Sequence, residues 1–150
     1  SDLSMLAARH KVIEDLAKAG EPGAAALYIA ETPDGVPRFK AAKDPNYQAW
    51  HEAALTQLEA AARRGDAEAV LEAAAIYQDI PGQELASLKY RAAALEFSKK
   101  QLPAAVIDGQ LERLSSIYIQ KKELNAQEVN QAITSGRAFG KTLVKPATIE

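Results

Sequence analysis

The stretch Ala61-Ala62-Arg63-Arg64-Gly65-Asp66-Ala67-Glu68-Ala69 interrupts an alanine-rich run that otherwise reads as continuous helix. Alanine has the highest helix propensity, so a break here has to be written by other residues, and Gly65 with Asp66 writes it. Glycine reaches the left-handed backbone that closes many helices, and an aspartate side chain accepts from the free amides that start the next one. Arg63 and Arg64 fall in the last turn before the break, where cations meet the negative end of the helix dipole. The stretch therefore predicts a tight joint between two antiparallel helices.

Outward from this joint the same signals recur. Upstream, Tyr47, Trp50, Ala54, Leu58 and Ala61 stand at three-and-four spacing and predict a helix over 47–64, and downstream a helix starts at Asp66 and covers 66–78. Pro81-Gly82 marks the next turn, and further helices are expected over 83–100, 103–121 and 126–143. Toward the N-terminus a helix over 3–19, with Leu6, Ile13 and Leu16 on its packed side, stops at Gly20, and a short one over 22–30 opens at Pro22. β-branched residues nowhere alternate over a strand-length window, so the fold class is all-α. Residues 31–46, with Pro33, Asp34-Gly35, Pro37 and Pro45, lack a helical period and are expected to be a loop, the kind of segment that carries function more often than a core does. Residues 1–143 read as one helical domain, and 144–150, with Pro146 and no period, as an extended tail.

Composition narrows what such a domain does. Of the 150 residues, 47% are hydrophobic and 25% charged, which suits a chain that folds around a core and not a disordered tail. A net charge of -2 argues against phosphate-driven nucleic-acid binding, which needs a basic face. With no cysteine there is no disulfide, thiolate metal site or thiol nucleophile, and the compartment stays open between cytoplasm and a bacterial periplasm or envelope. No apolar run has the length of a membrane span, and Ser1-Asp2-Leu3-Ser4 reads as a mature or trimmed end.

From Ala61 to Ala94 the pattern resembles the Sel-like branch of tetratricopeptide-type helical repeats. The residues that carry the resemblance are Ala62, Gly65, Asp66, Ala67 and Ala69 at the joint, Tyr77 closing the first helix, and Ala86, Tyr90, Ala93 and Ala94 in the second. Outside this unit, Ala17-Lys18-Ala19-Gly20 echoes the joint, and Leu111-Glu112 with Ile117-Tyr118 echoes Leu71-Glu72 with Ile76-Tyr77 at one extra residue of spacing. The resemblance implies a short α-solenoid of antiparallel helix pairs with atypical end units, the alternative being a compact helical bundle. It further implies an adaptor or scaffold in an assembly, including bacterial envelope complexes, that binds a protein or peptide through its concave surface.

Motifs for chemistry are incomplete. Trp50-His51-Glu52-Ala53-Ala54-Leu55 opens like a zinc-binding helix, but Leu55 stands where the second histidine belongs, and the only other histidine is His10. Gly136-Arg137-Ala138-Phe139-Gly140-Lys141-Thr142 is one residue short of a phosphate-binding loop and has helical period, so Gly136 and Gly140 are read as a close-packing face with Arg137 and Lys141 toward solvent. Lys99-Lys100 and Lys121-Lys122 fall at expected helix ends, where the dipole accounts for them. No nucleophile with a base can be named, so no catalytic, cofactor or metal residue is assigned and the chain is read as a non-enzyme.

Recognition of another protein or peptide remains, with no nucleic acid and no membrane span. The candidate contacts are Arg38, Phe39 and Lys40 in the proline-bounded loop, with Gln78, Arg113 and Gln120 as exposed polar positions on the helices. Phe39 between two cations is either an anchor tucked onto the helices or a partner-facing hot spot. The alternatives are a small inhibitor or immunity-type protein that occludes a partner enzyme, and, more remotely, an α-superhelical hydrolase. Self-association is expected, if at all, through Gly136, Gly140 and Leu143.

Overall fold

The computed structural model describes residues 2–97 and 102–143. The expected tail at 144–150 and the helix end at Lys99-Lys100 lie outside the described residues. Among the described residues there is no strand, and the chain is all-α. It divides into two compact units, 1–73 and 74–150, at a point inside one helix.

The first unit contains α1 (Asp2–Lys18), α2 (Ala24–Ala30), a single-turn α3 (Arg38–Ala41), a 3-10 turn (Pro45–Tyr47), α4 (Gln48–Arg63) and the start of α5 (Ala67–Gln78). The predicted joint is present. Gly65 has φ 90°, its N–H donates to Ala62 O at 3.0 Å, and Asp66 N–H donates to Ala61 O at 3.1 Å. This is a Schellman ending, which satisfies carbonyls that the last turn leaves free. The α1 end repeats it, with Gly20 at φ 80°, Gly20 N–H on Ala17 O and Glu21 N–H on Leu16 O, each at 3.1 Å.

The second joint is built against the first. Asp66 Oδ1 caps α5 by accepting from Glu68 N–H at 3.1 Å and Ala69 N–H at 3.3 Å, while Oδ2 accepts from Gly23 N–H at 2.8 Å. The Arg64 guanidinium lies over Gly20, and the Glu68 carboxylate lies so close over Gly23 that a Cβ there would stand 2.8 Å from Oε2.

α1 packs on α2, and α2 on α4. The packed sides differ in register from the sequence reading. On α1 it is Ile13 and Ala17 that are buried, while Leu6 and Leu16 are 40% and 43% exposed. Ala24 and Ala25 of α2 are buried too, and side chains this small let two helix backbones approach along the Ile13–Ala17 row. On α4 the buried row is His51, Ala54, Leu58 and Ala61, again at three-and-four spacing, and Trp50 sits at its edge half-buried. His51 thus stands in the buried row where Trp50 was expected.

The second unit contains the end of α5, α6 (Glu84–Phe97), α7 (Ala104–Ser116), a π-helical turn (Ile117–Lys121) and α8 (Ala126–Leu143). Its most extensive packing is α6 on α8. Gly136 and Gly140 create it, because a Cβ on Gly136 would lie 2.2 Å from Lys89 O and one on Gly140 would lie 2.6 Å from Ala93 O. The helix expected over 103–121 widens at its end, where Lys122 N–H donates to Ile117 O at 3.3 Å and Leu124 N–H to Tyr118 O at 3.1 Å. Glu123 closes this end at φ 55°, a left-handed conformation uncommon for a side-chain-bearing residue. The result seats Tyr118, 1% exposed, in a core with Leu88 and Val129.

Candidate functional site

Residues 31–46 are more ordered than a loop. Thr32 Oγ1 donates to Val36 O at 2.5 Å, Gly35 N–H donates to Thr32 O at 3.3 Å, and Tyr47 OH donates to Asp34 Oδ2 at 2.9 Å. These bonds close the segment before α3. Pro37 then starts the turn from the helix-compatible end, and its carbonyl accepts from Lys40 N–H and Ala41 N–H at 3.0 Å each. Ala41 is fully buried and fastens the turn, and the Arg38 guanidinium forms an ion pair with Glu72 of α5.

With its neighbours so engaged, Phe39 points outward at 62% exposure beside an exposed Lys40. The anchor arrangement weighed for Phe39 is therefore not the one adopted. Of the three loop candidates, Phe39 and Lys40 present to solvent and Arg38 is held by its partner.

The first unit also gathers both histidines of the chain around its single tryptophan. His10 lies 5.2 Å from the Tyr28 ring and 6.5 Å from Trp50, and His51 meets Trp50 at 5.8 Å nearly edge-on. Burial and the charge of Arg38 hold the His51 pKa below the usual histidine value, with Glu52 pulling weakly the other way. Burial, then the nearby Glu14 carboxylate, pushes the Tyr28 phenol up to about 12, and Tyr28 OH donates to Glu14 Oε2 at 3.4 Å. Arg9 closes the rim with a paired contact to Glu31, at 2.9 and 2.7 Å. His10 Nδ1 and Trp50 Nε1 are buried and meet no hydrogen-bond partner among the described residues.

The remaining candidates lie in the second unit. Gln78 is exposed, and its Oε1 accepts from Arg91 Nη2 at 3.2 Å. Beside it Tyr77 and Tyr90 stack at 5.7 Å and 9°, Phe139 meets Tyr90 edge-on at 6.0 Å, and the Lys89 ammonium lies 5.6 Å over the Phe139 ring. Arg113 on α7 and Gln120 in the π-helical turn are exposed.

Two expectations for α8 are corrected. Arg137 does not point to solvent alone: its Nε donates to Glu96 Oε1 at 2.8 Å and its Nη2 contacts Asp108 at 3.2 Å. Gly136 and Gly140 are occupied by α6 of the same unit, and Leu143 is 9% exposed, so the face expected for self-association is filled within the chain.

Sequence reasoning also passed over Glu96, which is 1% exposed and has Oε2 without a partner. Its signal was present, since Glu96 follows Ala92 and Ala93 at four and three residues, on the face those alanines keep small. The His10 to His51 gathering had no such signal, because the two are distant in sequence and only packing joins them.

The fold defines an all-α protein in which, among the described residues, no helix is long and apolar enough to cross a membrane. No family model, curated protein or solved structure matches the chain.

Proposed function

We propose that this chain is a non-catalytic protein-interaction module, an adaptor or scaffold that binds a protein or peptide through the surface around Phe39. The observation that carries this reading is a 62% exposed phenylalanine on a turn whose backbone and neighbours are pinned by buried Ala41 and by the Arg38 to Glu72 ion pair. A large apolar ring held rigidly in water gives up hydration free energy and loses little entropy on binding, which is how interface anchors work. Exposed Lys40 supplies a polar rim.

The same proposal reads residues 61–94 as a Sel-like helix pair. In support, Gly65 and Asp66 perform the capping roles the pattern gives them, and Tyr77 stacks on Tyr90.

The test is capture of partners by the purified chain from lysate, compared with Phe39→Ala and with bare resin. A dominant partner lost in the variant, with Tm unchanged within a degree or two, supports the module, and the partner's identity separates an adaptor from an inhibitor of an enzyme. A Phe39→Ala chain that captures the same partners equally well overturns the reading.

A further inference from the structure

The turn that presents Phe39 sorts its side chains by charge as well as by polarity. Helical hydrogen bonds run past α3, with Ala42 N–H on Arg38 O at 2.9 Å and Lys43 N–H on Lys40 O at 3.1 Å, so residues 38–43 follow one helical path. At about 100° per residue, Phe39, Lys43 and Lys40 fall in that order across one side, and Ala41 falls opposite. Burial agrees: Ala41 is fully buried, Arg38 and Ala42 are half-buried, and Phe39, Lys40 and Lys43 are exposed.

Two of the three cations on this turn have no acid to answer them. Arg38 pairs with Glu72, whereas neither Lys40 nor Lys43 forms an ion pair among the described residues. Residues 35–43 contain no acid, and the acids at either end are engaged. Asp34 accepts from Tyr47 OH at 2.9 Å, and Asp44 Oδ1 caps the following turn by accepting from Asn46 N–H at 2.9 Å. In a chain of net charge -2, this side gathers positive charge around an exposed apolar ring.

What it fits follows from those two components. A large apolar ring gains by leaving water, and flanking ammonium groups favour an oncoming carboxylate and turn away a second cation. A nucleic-acid backbone asks for many neutralised phosphates, and an anionic membrane for a cluster of about four or more Lys or Arg. Two lysines supply neither. The match is a short protein segment with carboxylates flanking an apolar side chain.

We propose that the Phe39, Lys40 and Lys43 side is a docking surface for an acidic segment of a partner protein. An apolar residue of that segment lies against Phe39, and its carboxylates meet the two lysines. The inference rests on the proposed binding role of Phe39 and adds to it the charge of the partner. Because buried Ala41 and the Arg38 to Glu72 pair pin the turn, the surface is presented ready-formed and little ordering is lost on docking.

The experiment is an amide NMR titration of the full chain at neutral pH with the synthetic peptide acetyl-Glu-Glu-Asp-Leu-Leu-Glu-Asp-Glu-amide, up to about 2 mM, where a millimolar Kd is still read. The controls are the same peptide with Gln and Asn for its acids, a single-stranded oligodeoxynucleotide, and vesicles of phosphatidylserine and phosphatidylcholine. The Phe39, Lys40, Ala42 and Lys43 amides are expected to shift with the acidic peptide. Its Kd should rise about five- to tenfold in Lys40→Gln/Lys43→Gln, and rise in the native chain as salt goes from about 50 to about 300 mM. Both lysines are exposed, so the double variant should keep the native Tm and its result reads charge alone.

Equal binding of the neutral peptide, equal binding by the double variant, or no shift at these amides with the acidic peptide overturns the proposal. So does a larger shift of the same amides with the oligonucleotide or the vesicles, which would assign the lysines to phosphate. Partner capture is scored separately: a partner lost in Phe39→Ala but retained by Lys40→Gln/Lys43→Gln keeps the binding role and overturns the acidic preference.

Discussion

Asp66 accepts from the Gly23 amide at 2.8 Å with one carboxylate oxygen while the other caps α5, so a single side chain ties the turn after α1 to the turn after α4. Each helix end leaves backbone groups that need partners, and here one residue serves two of them.

Asp66→Ala removes both services. An N-cap is worth about 1 kcal/mol, and a hydrogen bond to a charged group about 1.5–3 kcal/mol, so the variant should lose about 2–3 kcal/mol in urea unfolding. Asp66→Asn keeps an oxygen for the cap but turns an NH2 toward Gly23 N–H, and should lose about half as much. An Asp66→Asn variant as stable as the native chain would show that the contact to Gly23 contributes nothing.

Glycines on α7 and α8 should answer substitution with opposite signs. Gly136→Ala places its Cβ 2.2 Å from Lys89 O, which is backbone and cannot swing aside, so α6 and α8 must part at a cost of about 3 kcal/mol or more. Gly109→Ala meets nothing within 4 Å in the middle of α7, and removing a helical glycine there should stabilise by about 0.5–1 kcal/mol. Paired denaturant curves check both signs, and a neutral Gly136→Ala would mean that the helices are not in this close contact.

Arg137 is the sole hydrogen-bond partner among the described residues for Glu96, whose side chain is 1% exposed. Truncating it in Arg137→Ala strands a buried carboxylate and should cost about 3 kcal/mol. Glu96→Gln removes the charge that needs balancing and should cost less. In Glu96→Gln/Arg137→Ala the loss should fall well short of the sum of the singles, and strict additivity in that cycle would show the pair to be uncoupled.

How much of this was legible depended on whether the signal was local. The joint at Gly65 and Asp66 could be read because helix capping is decided within a few residues, and the same holds for the break at Gly20. Gly136 and Gly140 declared a close contact through their four-residue spacing, but not that α6 would fill it. The packed row of α1 was misread because Leu6 and Leu16 outweigh Ala17 in hydrophobicity, while the neighbouring helix selects for small size and buries Ala17. The turn at Arg38 to Ala41 was hidden by prolines at 33, 37 and 45, which mark irregular chain yet also allow Pro37 to start a helix. Phe39 stood out as a residue type between cations, but its exposure depends on Ala41 and on Glu72, and no periodicity reports that.

Tyr118 has its hydroxyl buried with no hydrogen-bond partner among the described residues, inside a core of Leu88 and Val129 with the Lys122 ammonium 4.8 Å over its ring. An unpaired buried hydroxyl costs about 1–3 kcal/mol, so Tyr118→Phe should raise stability by about 1 kcal/mol, where most core substitutions lower it. Thermal unfolding of the variant gives the sign directly, and a lowered Tm would place an ordered water or an unseen partner on that hydroxyl.

Tyr28 ties the stability of the first unit to alkaline pH. Its phenol is pushed up to about 12 by burial and by Glu14, so the folded state favours the neutral form. Such a group contributes stability that is full below the unfolded value, about 10, and is lost as pH rises through the folded one. Of the chain's 5 tyrosines, Tyr28 should therefore ionise late in a tyrosinate absorbance titration, near pH 12 or together with alkaline unfolding of the first unit. Tyr28→Phe should delete that late step and leave the others in place. Because the variant removes only the hydroxyl, the ring contact with His10 persists, and a titration curve that keeps the late step would assign it to a different tyrosine.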